Sequence, residues 1–225
     1  MSKSIIQIGS HVGNTHNDPI FNIVDNNTKL ILVEPVPFLF EQLKINYNKK
    51  FDNNQNIIFI NKAVSNFIGE IEMTIPSKKN NFLELPIWAS QLASINSDHA
   101  LGHNVPTLLT EKIIVETTTL NEIVKEYNIK QIDLLHTDTE GHDYTILMNY
   151  NFEIKPKKIM FEHKHMDGLF TTGVKYDELS HKLFSLGYKK TEQNSEDSIF
   201  QLAGNPGLHS LRVASPAPPP TPLGY

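Results

Sequence analysis

Short apolar runs alternate along this chain with stretches in which apolar residues recur every three or four positions. The first run is Ile5-Ile6-Gln7-Ile8, closed by Gly9. Runs of four to seven residues bounded by turn formers predict buried strands, and three-to-four spacing predicts helices. Further strands are predicted at Leu30–Val33, Ile57–Ile60, Ile113–Val115, Ile132–Asp138 and Lys158–Phe161. Between them, Asn17-Asp18-Pro19 signals a short helix that ends near Asn26-Asn27. After Pro35-Val36-Pro37, the spacing of Phe40, Leu43 and Tyr47 predicts a second helix, and Asn53-Asn54 a turn. Thr119 and Glu122 form a capping-box pattern for a helix ending near Tyr127-Asn128. A turn at Thr139–Asp143 leads into a helix through Met148, and another helix runs from Lys175 to Leu186 before Gly187. Tyr188–Lys190 and Ser198–Leu202 suit a closing antiparallel pair.

The rhythm breaks twice. Val64 to Ile75, with Gly69 at its middle, reads as a β-hairpin, and residues 76–112 then carry many turn formers and little periodicity. A segment of that length inside a domain is usually functional or mobile; it is expected to be a lid or substrate loop, with a disordered surface insertion as the alternative. Trp88 lies within it and can face a sugar ring or plug the core. Residues 204–225 are proline-rich and are expected to form a flexible tail. The folded domain is then residues 1–203.

Alternating strands and helices predict an α/β fold, a mostly parallel sheet with helices on both faces. In such sheets ligands bind beyond the carboxyl ends of the strands. Gly9, Glu34, Asn61, Asp138 and Glu162 all fall at predicted strand ends. Gly9 and Gly13 give a turn against which a ligand can lie, and an acid at the tip of the second strand can accept hydrogen bonds from ribose hydroxyls. Together they describe a nucleoside-cofactor pocket. The Gly-x-Gly-x-x-Gly pattern of nicotinamide enzymes fails, because His11 stands where its second glycine belongs.

Composition narrows the classes. A chain of 225 residues suits one α/β domain. The net charge of −5 supplies no basic field for nucleic acid or an anionic membrane. No apolar run approaches the roughly 20 residues that span a bilayer. The start of the chain shows no signal-peptide pattern. Cysteine is absent, which excludes disulfides and thiolate chemistry and fits a reducing cytoplasm.

The motifs also resemble a family. Gln7-Ile-Gly9-Ser-His-Val-Gly13-Asn-Thr15, Val33-Glu34-Pro35, Asn61-Lys-Ala63-Val64-Ser65 with Gly69, Thr118-Thr119-Leu120, and Ile132-Asp-Leu-Leu-His-Thr-Asp138-Thr-Glu140-Gly141 are similar to those of the FkbM S-adenosylmethionine-dependent methyltransferases. The resemblance covers roughly residues 5 to 190. It implies a Rossmann-like class I methyltransferase sheet of seven strands and O-methylation of a hydroxyl, often on a sugar or glycan. It places the cofactor S-adenosyl-L-methionine against Gly9, Ser10, His11, Gly13 and Asn14, its ribose at Glu34 and Pro35, and its adenine by Ala63 and Val64. Asp138 falls near the reacting methyl. Members commonly carry an acid where Gln7 stands and Ala-Asn where Ser10-His11 stand.

Methyl transfer asks the protein mainly for alignment. A hydroxyl acceptor also needs somewhere to send its proton, and a carboxylate or imidazole can take it. Asp138, His142 and His163 are the candidates. Asp138 contacts the cofactor, caps the next helix or takes the proton, with cofactor contact preferred. His142 and His163 are equally well read as surface or capping residues, and His136 as a core histidine. Glu140 binds substrate hydroxyls or favours a helix N-terminus. His136, Asp138, Glu162 and His163 include metal-ligating types, but no metal is assigned, and Glu162-His163-Lys164-His165 is as easily an exposed polar turn. Two other readings stay open: a silent cofactor-fold binding module and, further behind, a nicotinamide-dependent oxidoreductase.

Overall fold

The computed structural model describes residues 3–15, 18–52, 55–76, 110–168 and 171–204. In chain order its strands are β1 (Ser4–Ile8), β2 (Lys29–Val33), β3 (Ile57–Ile60), β4 (Ala63–Val64), β5 (Gly69–Pro76), β6 (Thr110–Thr118), β7 (Leu134–Thr137), β8 (Lys158–Glu162), β9 (Tyr188–Gln193) and β10 (Asp197–Leu202). The helices are α1 (Pro37–Phe51), α2 (Leu120–Glu126), α3 (Asp143–Asn149) and α4 (Val174–Ser185).

A seven-stranded sheet in the order β3-β2-β1-β7-β8-β10-β9 forms the body. Strands β3, β2, β1, β7 and β8 are parallel, and β10 runs antiparallel to both its neighbours. The strand order reverses at β1, which lies between β2 and β7. A crevice therefore opens at the carboxyl end of β1, where the two connections leave in opposite directions.

The near-continuous apolar runs follow from burial on both faces. Ile5, Leu30, Leu32, Leu134 and Met160 pack with Leu43, Tyr47 and Phe51 of α1. Ile6, Ile8, Ile31, Val33, Leu135, Ile159 and Phe161 pack with residues of α2, α3 and α4 on the other face. Thr119 caps α2, its hydroxyl accepting the Glu122 N–H at 3.1 Å. Lys182 of α4 donates to the carbonyls of Leu147, Met148 and Tyr150, which closes the carboxyl end of α3.

Two expected elements differ. No helix joins β1 to β2 among the described residues. Asp18 instead accepts the N–H groups of Ile20 and Phe21, each at 2.7 Å, and the chain passes through turns that bury Ile20 and Val24. Residues 64–75 are not a hairpin either. β4 and β5 lie on opposite sides of β6 in a separate sheet of order β4-β6-β5. Ala63 pairs in parallel with Thr117, and Gly69 pairs antiparallel with the same residue. The long β6 offers hydrogen bonds along both edges, so the two short segments pair with it and not with each other. The expected helix-start residue Asn17, the Asn53-Asn54 turn, Trp88 with residues 77–109 of the expected lid, and residues 205–225 of the tail lie outside the described residues.

Candidate functional site

The crevice is floored by the turn after β1. Gly9 has φ +80°, and a Cβ there would lie 1.8 Å from the Asp138 carbonyl oxygen. The β1 and β7 turns are thus in direct backbone contact, reinforced by Asp138 N–H donating to the Ile8 carbonyl at 3.0 Å. Gly13, φ +76°, serves a different purpose: a Cβ would strike Tyr47 and Leu43 of α1. Asn46 of α1 fastens the same turn by donating to the Val12 carbonyl and the Asn14 side chain, both at 2.8 Å. The turn is held open by helix packing and backbone contact.

Glu34, immediately after β2, is 4% exposed. Its Oε2 accepts the His11 N–H at 2.8 Å and its Oε1 the Val36 N–H at 2.9 Å. Each carboxylate oxygen has a second lone pair, so the group can still accept from a ligand. Burial pushes its pKa up to about 7, against the pull of those two N–H groups. Asn61 donates to the Glu34 and Pro35 carbonyls and locks the end of β2 to the end of β3. The resulting cleft is open to solvent on one side and is lined by both polar and apolar residues.

The sequence matches the methyltransferase FkbM domain over residues 7–190, most of the chain. The chain belongs to the FkbM methyltransferase family. Members are S-adenosylmethionine-dependent, which sets the cofactor for this chain. No curated protein matches it. Similar solved structures include an FkbM methyltransferase from Methylobacillus flagellatus (12% identity, TM-score 0.48, 89% of this chain and 43% of that one). Others are a caffeoyl-CoA O-methyltransferase-like protein from Staphylococcus aureus (10%, 0.47, 89% and 76%) and M. capricolum TrmK with S-adenosylhomocysteine (14%, 0.44, 89% and 61%). This chain spans less than half the length of the M. flagellatus protein.

The FkbM cofactor suits what stands in the cleft. Gly9, Ser10, His11, Glu34, Pro35, Ala63 and Val64 all border it, as do Asp138, Glu140, His142 and His136. Gly13 and Asn14 brace the turn from behind. Gln7, where the family favours an acid, also borders the cleft. Its Nε2 donates to Asp18 at 2.8 Å, so an acid is present one hydrogen bond away. That acid arrives from the β1–β2 connection, which is why position 7 did not reveal it. His136 is buried and neutral, its pKa lowered to about 4 by burial.

Asp138 is reached by solvent through the cleft although it stands deep between turns. Its pKa is raised well above the carboxylate range by that depth, and by the negative charges of Glu162, Glu140, Asp143 and Asp197. It does not cap α3. That helix begins at Asp143, whose Oδ2 accepts the Thr139 hydroxyl at 2.7 Å and the Thr139 N–H at 3.2 Å. Burial and Glu162 push Asp143 up to about 7. His142 meets the buried Ser65, Nε2 to Oγ 3.0 Å. Burial, then Lys175, lowers its pKa.

His163 is not brought to the cleft. It is 4% exposed, with Nδ1 3.2 Å from the Ser198 hydroxyl and its ring 5.3 Å from Tyr176. Its neighbours in sequence are the ones engaged. Glu162 is 2% exposed, so the segment after β8 is no exposed polar turn. His165 Nδ1 stands 2.9 Å from Glu140 and 3.1 Å from Glu162, and Lys164 Nζ is 3.1 Å from Glu162. Burial disfavours the charged imidazole, but the hydrogen bonds and charges of the two glutamates outweigh it and push His165 up to about 9. Ligand atoms of Glu140, Glu162 and His165 come within 4.8 Å of one another, a metal-like spacing that the imidazolium and Lys164 fill with positive charge.

A folded pKa above the unfolded value of about 6.5 means that protonation stabilises the fold. The His165 contribution is fully present below about 6.5 and is lost as pH rises through 9. Thermal melts between pH 6 and 10 should show this decline, and His165→Gln should flatten it. An unchanged pH profile in the variant would contradict the ion-pair assignment.

Proposed function

We propose that this FkbM methyltransferase moves a methyl group from S-adenosylmethionine to a hydroxyl of a sugar, glycan or similar small polar acceptor. When bound, the cofactor supplies an electrophilic methyl on a sulfonium leaving group. The protein's residues hold and orient. Glu34 takes the ribose hydroxyls, Gly9 to His11 lie beneath the methionine portion, and Ala63 with Val64 flank the base. Asp138 takes the proton released as the acceptor oxygen bonds to carbon, and passes it to solvent through the open cleft.

The observation that supports this reading is Asp138 itself. It is solvent-reachable in the cleft, beside the Gly9 turn, and has no side-chain hydrogen bond among the described residues. Its depth, and then the neighbouring carboxylates, raise its proton affinity, and a raised carboxylate pKa makes a stronger base. The negative surroundings also suit a sulfonium. A cysteine-free chain with net charge −5 fits work on small or glycan acceptors in a reducing cytoplasm better than work on nucleic acid.

The test is transfer of isotope-labelled methyl to a panel of monosaccharides and oligosaccharides. Asp138→Asn should lower kcat about a hundredfold, with S-adenosylhomocysteine affinity changed by less than tenfold. An unchanged kcat would remove Asp138 from proton transfer. Cofactor binding without transfer to any acceptor would favour a silent binding module.

A further inference from the structure

The cleft does not end at Asp138. Away from Glu34 it continues along Glu140, Lys164 and Glu196, and two of these come from segments with no link to the cofactor turns. Glu196 belongs to the turn between β9 and β10. Asn194 Oδ1 shapes that turn by accepting the N–H groups of Glu196 and Asp197, at 2.7 and 2.5 Å. The Glu196 carbonyl in turn accepts the N–H groups of His163, at 2.7 Å, and Lys164, at 3.2 Å. Backbone bonds therefore fix the β9–β10 turn against the end of β8, and the Glu196 carboxylate stands in the cleft wall without any movement. Lys164 Nζ reaches Glu162 at 3.1 Å and Glu196 at 3.4 Å. An ammonium has three donors, so one remains after these two contacts.

The charge of this wall is lopsided. Four carboxylates, Asp138, Glu140, Glu162 and Glu196, gather around Lys164 and His165, and Lys62, which also borders the cleft, pairs with Glu116 at 2.9 Å. Lys164 and His165 are already held by two carboxylates each. Guanidinium forks are the usual partners of phosphate and carboxylate ligands, and none borders the cleft among the described residues. The sequence has a single arginine, Arg212, far along the C-terminal stretch. Carboxylates accept well from hydroxyl and ammonium groups and repel anions.

We propose that Glu140, Lys164 and Glu196 form the acceptor subsite, and that it takes neutral or amine-bearing polyhydroxyl acceptors and rejects anionic ones such as uronates and sugar phosphates. The proposal rests on the methyltransferase reading of the adjoining cleft. Vicinal hydroxyls donate to Glu196 and Glu140, and the remaining Lys164 donor meets a ring or hydroxyl oxygen. An acceptor carboxylate or phosphate placed there faces excess negative charge, and Lys164 beside it is already shared by Glu162 and Glu196.

Three probes of one ring shape separate these outcomes: glucosamine, methyl β-D-glucoside and glucuronate. Each is titrated by NMR into the full chain saturated with S-adenosylhomocysteine, at low salt. Glucosamine and the glucoside should bind, and glucuronate should bind at least about tenfold more weakly than glucosamine. Glu196→Gln should weaken glucosamine about fivefold or more and narrow its advantage over glucuronate, while S-adenosylhomocysteine affinity stays within twofold and the melting temperature within a few degrees. Glu196→Ala, which removes the acceptor altogether, should lose more. Glucuronate binding as well as glucosamine, no binding by any probe to the loaded protein, or unaltered binding in both variants would overturn the subsite. Failure of S-adenosylhomocysteine to bind the wild type is a separate result and strikes the cofactor reading instead.

Discussion

Glu34→Ala should bind S-adenosylhomocysteine at least about a hundredfold more weakly than the wild type. The proposed ribose contacts are hydrogen bonds to a charged acceptor, each worth about 1.5–3 kcal/mol, and two of them already account for that factor. The loss goes further, because the same carboxylate accepts the N–H groups of His11 and Val36. Without it, the His11 and Val36 N–H groups lose their acceptor, and the Gly9 and Ser10 N–H bonds to the Val33 carbonyl are left to tie the turn to β2. Glu34→Gln should be milder, about tenfold, since one oxygen remains but the anion is gone. The pKa of about 7 adds a pH signature. The carboxylate is the form that accepts two donors, so cofactor affinity in the wild type should fall as pH drops below 7. Calorimetric titration checks all three. Equal affinity in Glu34→Ala and wild type would remove Glu34 from the ribose site.

Gly9→Ala should lower the melting temperature by roughly 10 °C and abolish measurable cofactor binding. Two costs add. A φ of +80° disfavours any residue with a Cβ by about 1 kcal/mol or more, and here that Cβ would sit 1.8 Å from a carbonyl oxygen. The clashing atom belongs to the Asp138 backbone and cannot rotate away as a side chain would. Relief requires parting β1 from β7 at the floor of the cleft, which breaks the Asp138-to-Ile8 hydrogen bond and moves the proposed base. Gly13→Ala meets side-chain atoms of Tyr47 and Leu43 instead, and should cost less. A circular-dichroism melt within 2 °C of the wild type for Gly9→Ala would show that the turn is less constrained than its geometry implies.

Most strands of the large sheet were legible from the sequence because both faces are buried. Ile5, Ile6 and Ile8 report a strand whichever way it points. Strand ends were legible for a related reason: Glu34 and Asp138 interrupt apolar runs where the backbone leaves the core. Pairing was harder. Nothing local distinguishes β4 and β5 joined as a hairpin from β4 and β5 flanking a strand some forty residues later, since the deciding hydrogen bonds go to Thr117. The acid next to Gln7 was hidden in the same way, because Asp18 reaches it from a turn that the proline signal had suggested was a helix.

The far side of the cleft was the least visible. Strand alternation stops at Glu162, and the chain then turns so that His165, three residues on, comes back to Glu162 while His163 goes to Ser198. His163 was a candidate because it falls at the strand's carboxyl edge, and that position alone does not say which of the residues after Glu162 turns back toward it. Glu196 gives no local sign at all. It reaches the cleft only because β10 is antiparallel, which returns the β9–β10 turn to the carboxyl edge of the sheet.

The crevice between the ends of β1, β2 and β7 is assigned here as the S-adenosylmethionine site, and calorimetric titration of S-adenosylhomocysteine into the wild-type chain probes that assignment. Saturable binding at one site per chain is expected, with no comparable binding of NAD. A folded protein that gives no heat with S-adenosylhomocysteine, or that prefers the dinucleotide, would contradict it.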